Sequence, residues 1–182
     1  MTGRHTAMLT FSIITWNVRG MGTPKRRYSI QAYLRRRGTD IALIQESHLT
    51  AAEIPRLQRR WRGQVFSTAY SAYARGALIW IRAGTPFRIT TQIIDTEGRF
   101  VLLQGLLDGS PVVLGSIYAP NTDQHIFFNQ LSHHLSPWSH FPWLLGGDFN
   151  CILDTSLDRS FPPLIHAPAH TQARRLRDWI SH

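Results

Sequence analysis

Four apolar runs in this 182-residue sequence end alike. IITWN closes on Asn17, IALIQE on Glu46, LGSIYAPN carries Tyr118, Pro120 and Asn121 at its end, and LLGGDFN delivers Asp148 and Asn150. Glu46 is a hard carboxylate suited to magnesium, which keeps most of its waters and commonly takes one or two protein carboxylates plus a substrate phosphate. Asn17 can support such an ion or its waters. Asp148 can take a proton from a water for in-line attack, Asn150 can orient that water, and the Tyr118 hydroxyl can bond a phosphoryl oxygen as charge builds. Each residue also has a purely structural role open to it. Asn17, Asn121 and Asn150 can close turns on their own backbone, Asp148 after two glycines can form a turn, and Glu46 can cap the following SHL. Five such groups at strand ends favour the chemical assignment over five separate coincidences.

Ligand sites in open α/β sheets lie beyond the ends of buried strands, where rigid backbone meets adaptable loop, so the elements must bring these ends to one rim. MLTFSIITWN and TDIALIQESHL read as buried strands, as do SPVVLGSIYAPN and WLLGGDFN. Between the first two, Thr23 and Pro24 supply the N-cap and first turn of a helix over KRRYSIQAYLRRRG, with Ile30, Tyr33 and Leu34 as its apolar stripe and Gly38 as its stop. AAEIPRLQRRW predicts a short helix. From residue 65, VFSTAYSAY, GALIWI, FRITTQII and RFVLLQGLL are expected as strands of a meander. A helix is expected from near Thr122 through DQHIFFNQLSHHL, with Ile126, Phe127, Gln130 and Leu131 facing inward. Gly146 and Gly147 predict a tight turn that aims Asp148 and Asn150. SFPPLIHAPAH reads as a proline-broken loop, and TQARRLRDWISH as the start of a helix. No repeat or linker divides the pattern, so after a flexible 1–9 a single α/β domain is expected over 10–182.

The charge is lopsided. Lys25 is the only lysine among 20 basic residues, and 8 of the 9 net positive charges fall within residues 1 to 60. Arginine forks suit phosphate, so the excess fits a polyanion partner; it equally fits a solvated basic surface. Arg35, Arg36 and Arg37 also sit where a helix C-terminus welcomes cations. Cys151 is the only cysteine, which excludes an internal disulfide and points to a reducing compartment. The N-terminus lacks an apolar signal core, and nowhere do eighteen apolar residues run together, so neither secretion nor a membrane span is expected.

TWNVRGM, ALIQESHL, GSIYAPN and LLGGDFN, in this order, resemble the endonuclease/exonuclease/phosphatase superfamily, in particular the apurinic-type endonuclease domain of LINE-type non-LTR retrotransposons. LDRS at 157–160 is similar to the retrotransposon branch. The resemblance runs from about Thr10 to the last residues. It implies a deoxyribonuclease-like four-layer α/β sandwich, two packed sheets flanked by helices, that hydrolyses phosphodiesters with Mg2+ or Mn2+. Carried onto this chain, it puts Asn17 and Glu46 at the metal end, Tyr118 on the phosphate, and Asp148 with Asn150 on the attacking water. His48 would support Glu46, and Arg159 would approach the DNA backbone or brace its loop. Arg19 stands where many repair members carry an acidic residue, which weakens a second metal ligand there. Arg19, His48, Asn121 and Arg159 make up the set assigned to nucleic-acid contact.

That family closes with an Asp and then a Ser-Asp-His motif on strands that would lie beyond His182. The domain is therefore expected to be incomplete at its C-terminal end, with activity in this form in question. The resemblance further implies DNA as partner, descent from or fusion to a reverse-transcriptase polyprotein, and an intracellular, nuclear location; the single cysteine and the lack of long apolar runs lead to the expectation of no disulfide-linked or membrane partner. Two other functions remain open at this point. The same superfamily includes phosphatases of lipid and small phosphate esters, and a non-catalytic nucleic-acid-binding remnant would share the basic composition.

Overall fold

The computed structural model describes residues 10–151 together with Leu176 and Trp179. The flexible start expected over 1–9, LDRS with Arg159, and the proline-broken loop lie outside the described residues, whereas Leu176 and Trp179 are both helical, as expected for TQARRLRDWISH.

The chain runs β1 (Ile13–Asn17), α1 (Pro24–Arg36), β2 (Ile41–Gln45), α2 (Ile54–Arg60), β3 (Gly63–Ser67), β4 (Leu78–Arg82), β5 (Phe87–Ile94), β6 (Phe100–Leu107), β7 (Ser110–Tyr118), α3 (Gln124–Leu135), a 3-10 turn (Ser136–Trp138) and β8 (Trp143–Asp148). Two four-stranded sheets form, ordered β1-β2-β4-β3 and β5-β6-β7-β8. Each contains one parallel pair: β1 with β2, in register Asn17 to Gln45, and β7 with β8, in register Tyr118 to Asp148. The remaining pairings are antiparallel.

Alternation along the inner strands builds the layers. Ile41 and Leu43 of β2, Ile79 and Ile81 of β4, and Val101 and Leu103 of β6 fill the space between the sheets. Their neighbours point the other way. Ala42, Ile44, Leu78 and Trp80 meet Ile30 and Leu34 of α1 and Leu57 of α2. On the far side, Phe100, Leu102, Val113 and Ile117 meet Phe127, Phe128 and Leu131 of α3, with Leu176. Strands apolar on both faces are what a sheet covered on both sides requires, and each fully buried Leu or Ile contributes about 1.5–3 kcal/mol. The order helix, sheet, sheet, helix is the four-layer sandwich that the sequence motifs imply.

Three expectations need correction. The strands after residue 65 do not run as one meander: β2 and β3 occupy both edges of β4, so β5 must leave and found the second sheet, where β5, β6 and β7 do meander. Strand β3 stops at Ser67 rather than running through Tyr73; beyond Thr68 the chain loops out, and Tyr70 and Tyr73 are exposed. On α3 the inward face is Gln124, Phe127, Phe128, Leu131 and Leu135, while Ile126 is 50% exposed and Gln130 faces solvent. Phe127 and Leu131 were expected there, but spacing alone allowed the stripe to be centred one residue early. The cap of α1 is as expected, with Thr23 accepting from the Arg26 amide at 3.2 Å and Pro24 in the first turn.

Candidate active site

The two parallel pairs stack across the sandwich, β2 on β7 and β1 on β8, so their carboxyl ends meet at one rim. There the Asn17 amide bridges both sheets. Its Nδ2 donates to Glu46 Oε1 at 3.1 Å and to Asp148 Oδ2 at 2.8 Å. Its Oδ1 accepts from the Arg19 amide at 3.1 Å, which leaves that oxygen one lone pair. Asp148 Oδ1 accepts from the Asn150 amide at 3.0 Å, and the Asn150 side chain donates to the Ala119 carbonyl at 2.6 Å.

Tyr118 completes the group. Burial pushes its phenol above the ordinary range, and a hydrogen bond to Glu46 with that carboxylate's charge adds to the rise, against the nearby Arg99. The phenol therefore stays protonated at neutral pH, with its one proton directed at Glu46. The Arg99 guanidinium lies 5.2 Å from the centre of the Tyr118 ring. His48 Nε2 stands 3.6 Å from Glu46 Oε2, an ion pair whenever the imidazole is protonated.

Backbone lacing holds these groups in place. The amides of Val18, Gly20 and Met21 donate to the carbonyls of Gln45, Glu46 and Ser47, at 3.0, 2.6 and 2.8 Å. From the other side, Ser47 and His48 donate to Gly76 and Arg75 at 2.9 and 3.0 Å. Strapped between two segments, Glu46 and His48 adopt φ of 51° and 53°, and Asn150 adopts 49°. Left-handed backbone at non-glycine residues persists where its surroundings over-determine it, commonly at functional sites. Gly20, at φ 89°, passes so close to His48 that an added Cβ would meet its Nδ1 at 2.9 Å.

Gly146 and Gly147 serve a different purpose from the expected tight turn, because both lie within β8. A Cβ on Gly146 would meet Leu43 Cδ1 at 2.8 Å and Thr15 Cβ at 3.1 Å in the opposite sheet, and one on Gly147 would collide with the Ile117 carbonyl. Gly146 thus allows the sheets to approach, which brings Asp148 within reach of Asn17, while Gly147 allows β8 to lie close against β7 in its own sheet.

Asn17, Asp148 and Asn150 line a cleft of about 640 Å3 together with Gln45, Cys151 and Leu176. Burial pushes the Cys151 thiol up, so it stays protonated, a half-buried group bonded to Gln124 Oε1 at 3.2 Å. Arg19 and Asn121 are exposed at this rim, on the turns that follow β1 and β7.

Sequence reasoning missed the layer beneath. Gln45, 1% exposed, donates to Ser116 Oγ at 3.0 Å across the sandwich, and Ser116 donates to the Ile44 carbonyl at 2.9 Å. Gln124, 2% exposed, donates to the carbonyls of Pro120, Phe149 and Asn150, at 2.9, 3.2 and 3.1 Å. It ties the loop after β8 to α3. The one signal available was a polar side chain in step with Phe127, Phe128 and Leu131.

Two carboxylates converge here on one amide, and among the described residues neither pairs with a lysine or arginine. Such an uncompensated oxygen set suits a hard divalent cation. No three His, Cys, Asp or Glu side chains gather into a cage among the described residues, which magnesium, content with one or two carboxylates, does not need.

Fold and site together define a class: a two-sheet α/β sandwich with an amide-bridged acidic cluster where strands of both sheets end. The chain belongs to the Endonuclease/Exonuclease/phosphatase family, whose profile matches residues 14–180. It is 27% identical over 157 residues to the Transposon TX1 uncharacterized 149 kDa protein of Xenopus laevis, covering 85% of this chain and 12% of that protein. The AP endonuclease of Leishmania major superposes with a TM-score of 0.72 at 17% identity, over 94% of this chain and 66% of that one. The endonuclease domain of TRAS1, a telomere-specific non-LTR retrotransposon, gives 0.64 at 12% identity, over 94% and 70%. At such identities these likenesses establish the fold.

Proposed function

We propose that the chain is a divalent-metal-dependent endonuclease domain of retrotransposon lineage that nicks DNA by hydrolysing a phosphodiester. The observation that carries this is the Asn17 amide, held at 3.1 and 2.8 Å from Glu46 and Asp148, which joins the ends of strands from both sheets into one acidic cluster. Glu46 would hold Mg2+ or Mn2+, with the remaining lone pair of Asn17 Oδ1 for the ion or one of its waters. Such an ion supplies Lewis-acid neutralisation of charge on the phosphate. Asp148, fixed at both oxygens, takes the proton of the attacking water, and Asn150 beside it orients that water. Tyr118, a neutral phenol, turns its one proton from Glu46 to a phosphoryl oxygen as negative charge builds there. His48 steadies Glu46, while the exposed Arg19 and Asn121, with Arg159, contact the DNA backbone.

The identity to a transposon protein of 149 kDa, of which the match covers 12%, supports descent from a larger transposon protein; the motif resemblance to LINE-type elements is what suggests a reverse transcriptase within it. Action on chromosomal DNA would place it in the nucleus. Among the described residues no helix is long and apolar enough to cross a membrane.

The test is nicking of supercoiled plasmid. Wild type is expected to convert it to the open circle in Mg2+ and to stop when the metal is chelated. Asp148→Ala should lower the rate by about two to three powers of ten. Equal nicking by wild type and Asp148→Ala would sink the assignment.

A further inference from the structure

The groove between α1 and α2 opens on the outer side of the first sheet, and none of its lining belongs to the strand-end cluster. It encloses about 350 Å3 and is lined by Pro24, Arg27 and Gln31 of α1 and by Arg56, Leu57 and Arg59 of α2. Spacings of four on one helix and three on the other put these side chains on facing surfaces.

Arg27, only 8% exposed, donates to the Met21 carbonyl at 3.2 Å, the Gly22 carbonyl at 2.6 Å and Glu53 Oε1 at 3.0 Å. All three bonds use Nη1, and among the described residues Nη2 and Nε have no acceptor, which leaves them for a further one. Glu53 is fully engaged on its own side, since its other oxygen accepts from the Thr50 amide at 3.0 Å and the Thr50 hydroxyl at 3.1 Å. Gln31 is 2% exposed, and its Nε2 has no hydrogen-bond partner among the described residues, a state that native interiors rarely leave unresolved. Arg56 and Arg59 are exposed and form no ion pair among the described residues. Among the described residues no acidic side chain lines the groove. It therefore gathers two uncompensated charges, the unused donors of a buried arginine and an unpaired amide.

We infer that this groove binds a phosphate group, held between Arg56 and Arg59 at its mouth and the free donors of Arg27 and Gln31 at its base. Guanidinium forks match phosphate oxygens in pairs, which fits the near-exclusive use of arginine in this part of the chain. The phosphate is either a link of a polynucleotide backbone or a free anion. The inference does not depend on hydrolysis at the strand ends.

The experiment uses the whole chain in chelator, so that no cleavage contributes. A labelled oligonucleotide is titrated by fluorescence anisotropy across a salt series. Arg56→Ala/Arg59→Ala should weaken binding severalfold and reduce the slope of log affinity against log salt by about 1 to 2. Arg35→Ala/Arg36→Ala removes equal charge from the last turn of α1, outside the groove, and should change affinity and slope far less. Gln31→Leu, which keeps the volume and removes the amide, should melt at or above the wild-type temperature yet bind more weakly. In a second arm, inorganic phosphate should raise the melting temperature of wild type and leave that of Arg56→Ala/Arg59→Ala unmoved. Loss of oligonucleotide affinity in the groove variant assigns the site to a polynucleotide; loss of the inorganic phosphate response alone assigns it to a free anion. Equal effects of the two double variants on the oligonucleotide, with a phosphate response absent or unaltered by Arg56→Ala/Arg59→Ala, would overturn the proposal and leave the nicking assay untouched.

Discussion

A single amide nitrogen, Asn17 Nδ2, faces two carboxylates at 3.1 and 2.8 Å. Hydrogen bonds to charged groups are worth about 1.5–3 kcal/mol each, and here they also hold apart two anions that would otherwise repel. Asn17→Asp keeps the size and removes the donor, placing a third carboxylate between Glu46 and Asp148. In chelator that variant should melt several degrees below wild type, and added magnesium should restore more of its melting temperature than it adds to the wild type. A melting temperature in chelator equal to that of wild type would mean that the bridge carries no load. Nicking should fall as well, because Asp148 loses the partner that fixes one of its oxygens.

The elements show why some of this was legible and some was not. Short apolar runs bounded by glycine, proline and polar breaks located the strands, with β3 drawn too long, and Thr23 with Pro24 located α1, because these signals are local. Whether β5 joined β4 was not local: it depended on β2 and β3 having taken both edges. The two glycines of LLGGDFN were recognisable as special, but only the assembled strands reveal that close approach, and not a turn, demands them: Gly146 faces the opposing sheet and Gly147 the neighbouring β7. Gly147→Ala would drive a Cβ into the Ile117 carbonyl, which backbone cannot readily yield, and should cost about 1–3 kcal/mol by urea unfolding. Gly146→Ala meets the ends of Leu43 and Thr15 instead and should cost less; the reverse order would contradict the packing described. The α1–α2 contact has a pH signature. Burial alone would raise the Glu53 carboxyl, but bonds from Thr50 and Arg27 outweigh it and hold it below its ordinary value of 4.5. A depressed carboxyl stabilises the fold above that value, and the contribution is lost as pH falls through the folded one. The stability difference between wild type and Glu53→Gln should thus be full at pH 6 and shrink below about 4.5.

At the scale of the whole molecule, the site exists only because two sheets are held in one relative position, and apolar packing fixes such a position less sharply than directed bonds do. Leu43, Ile79, Val101 and Leu114 fill the interior without specifying a register between the sheets. Gln45 and Ser116 do specify one, since Gln45 reaches Ser116 at 3.0 Å and Ser116 reaches the Ile44 carbonyl at 2.9 Å, directly under Glu46 and Tyr118. Neither residue was identifiable from sequence, where each reads as one polar break in an apolar strand. Ser116→Ala leaves the buried Gln45 amide without its partner, at a cost of about 1–3 kcal/mol. Gln45→Leu/Ser116→Ala removes both polar groups, so the double variant should lose less stability than the two single losses added together. If the bond serves mainly to align the sheets, that double variant should keep most of its stability in urea and still lose nicking activity, because Asn17 and Asp148 sit on opposite sheets. Retention of both would mean that the apolar interior and the Asn17 bridge suffice for alignment.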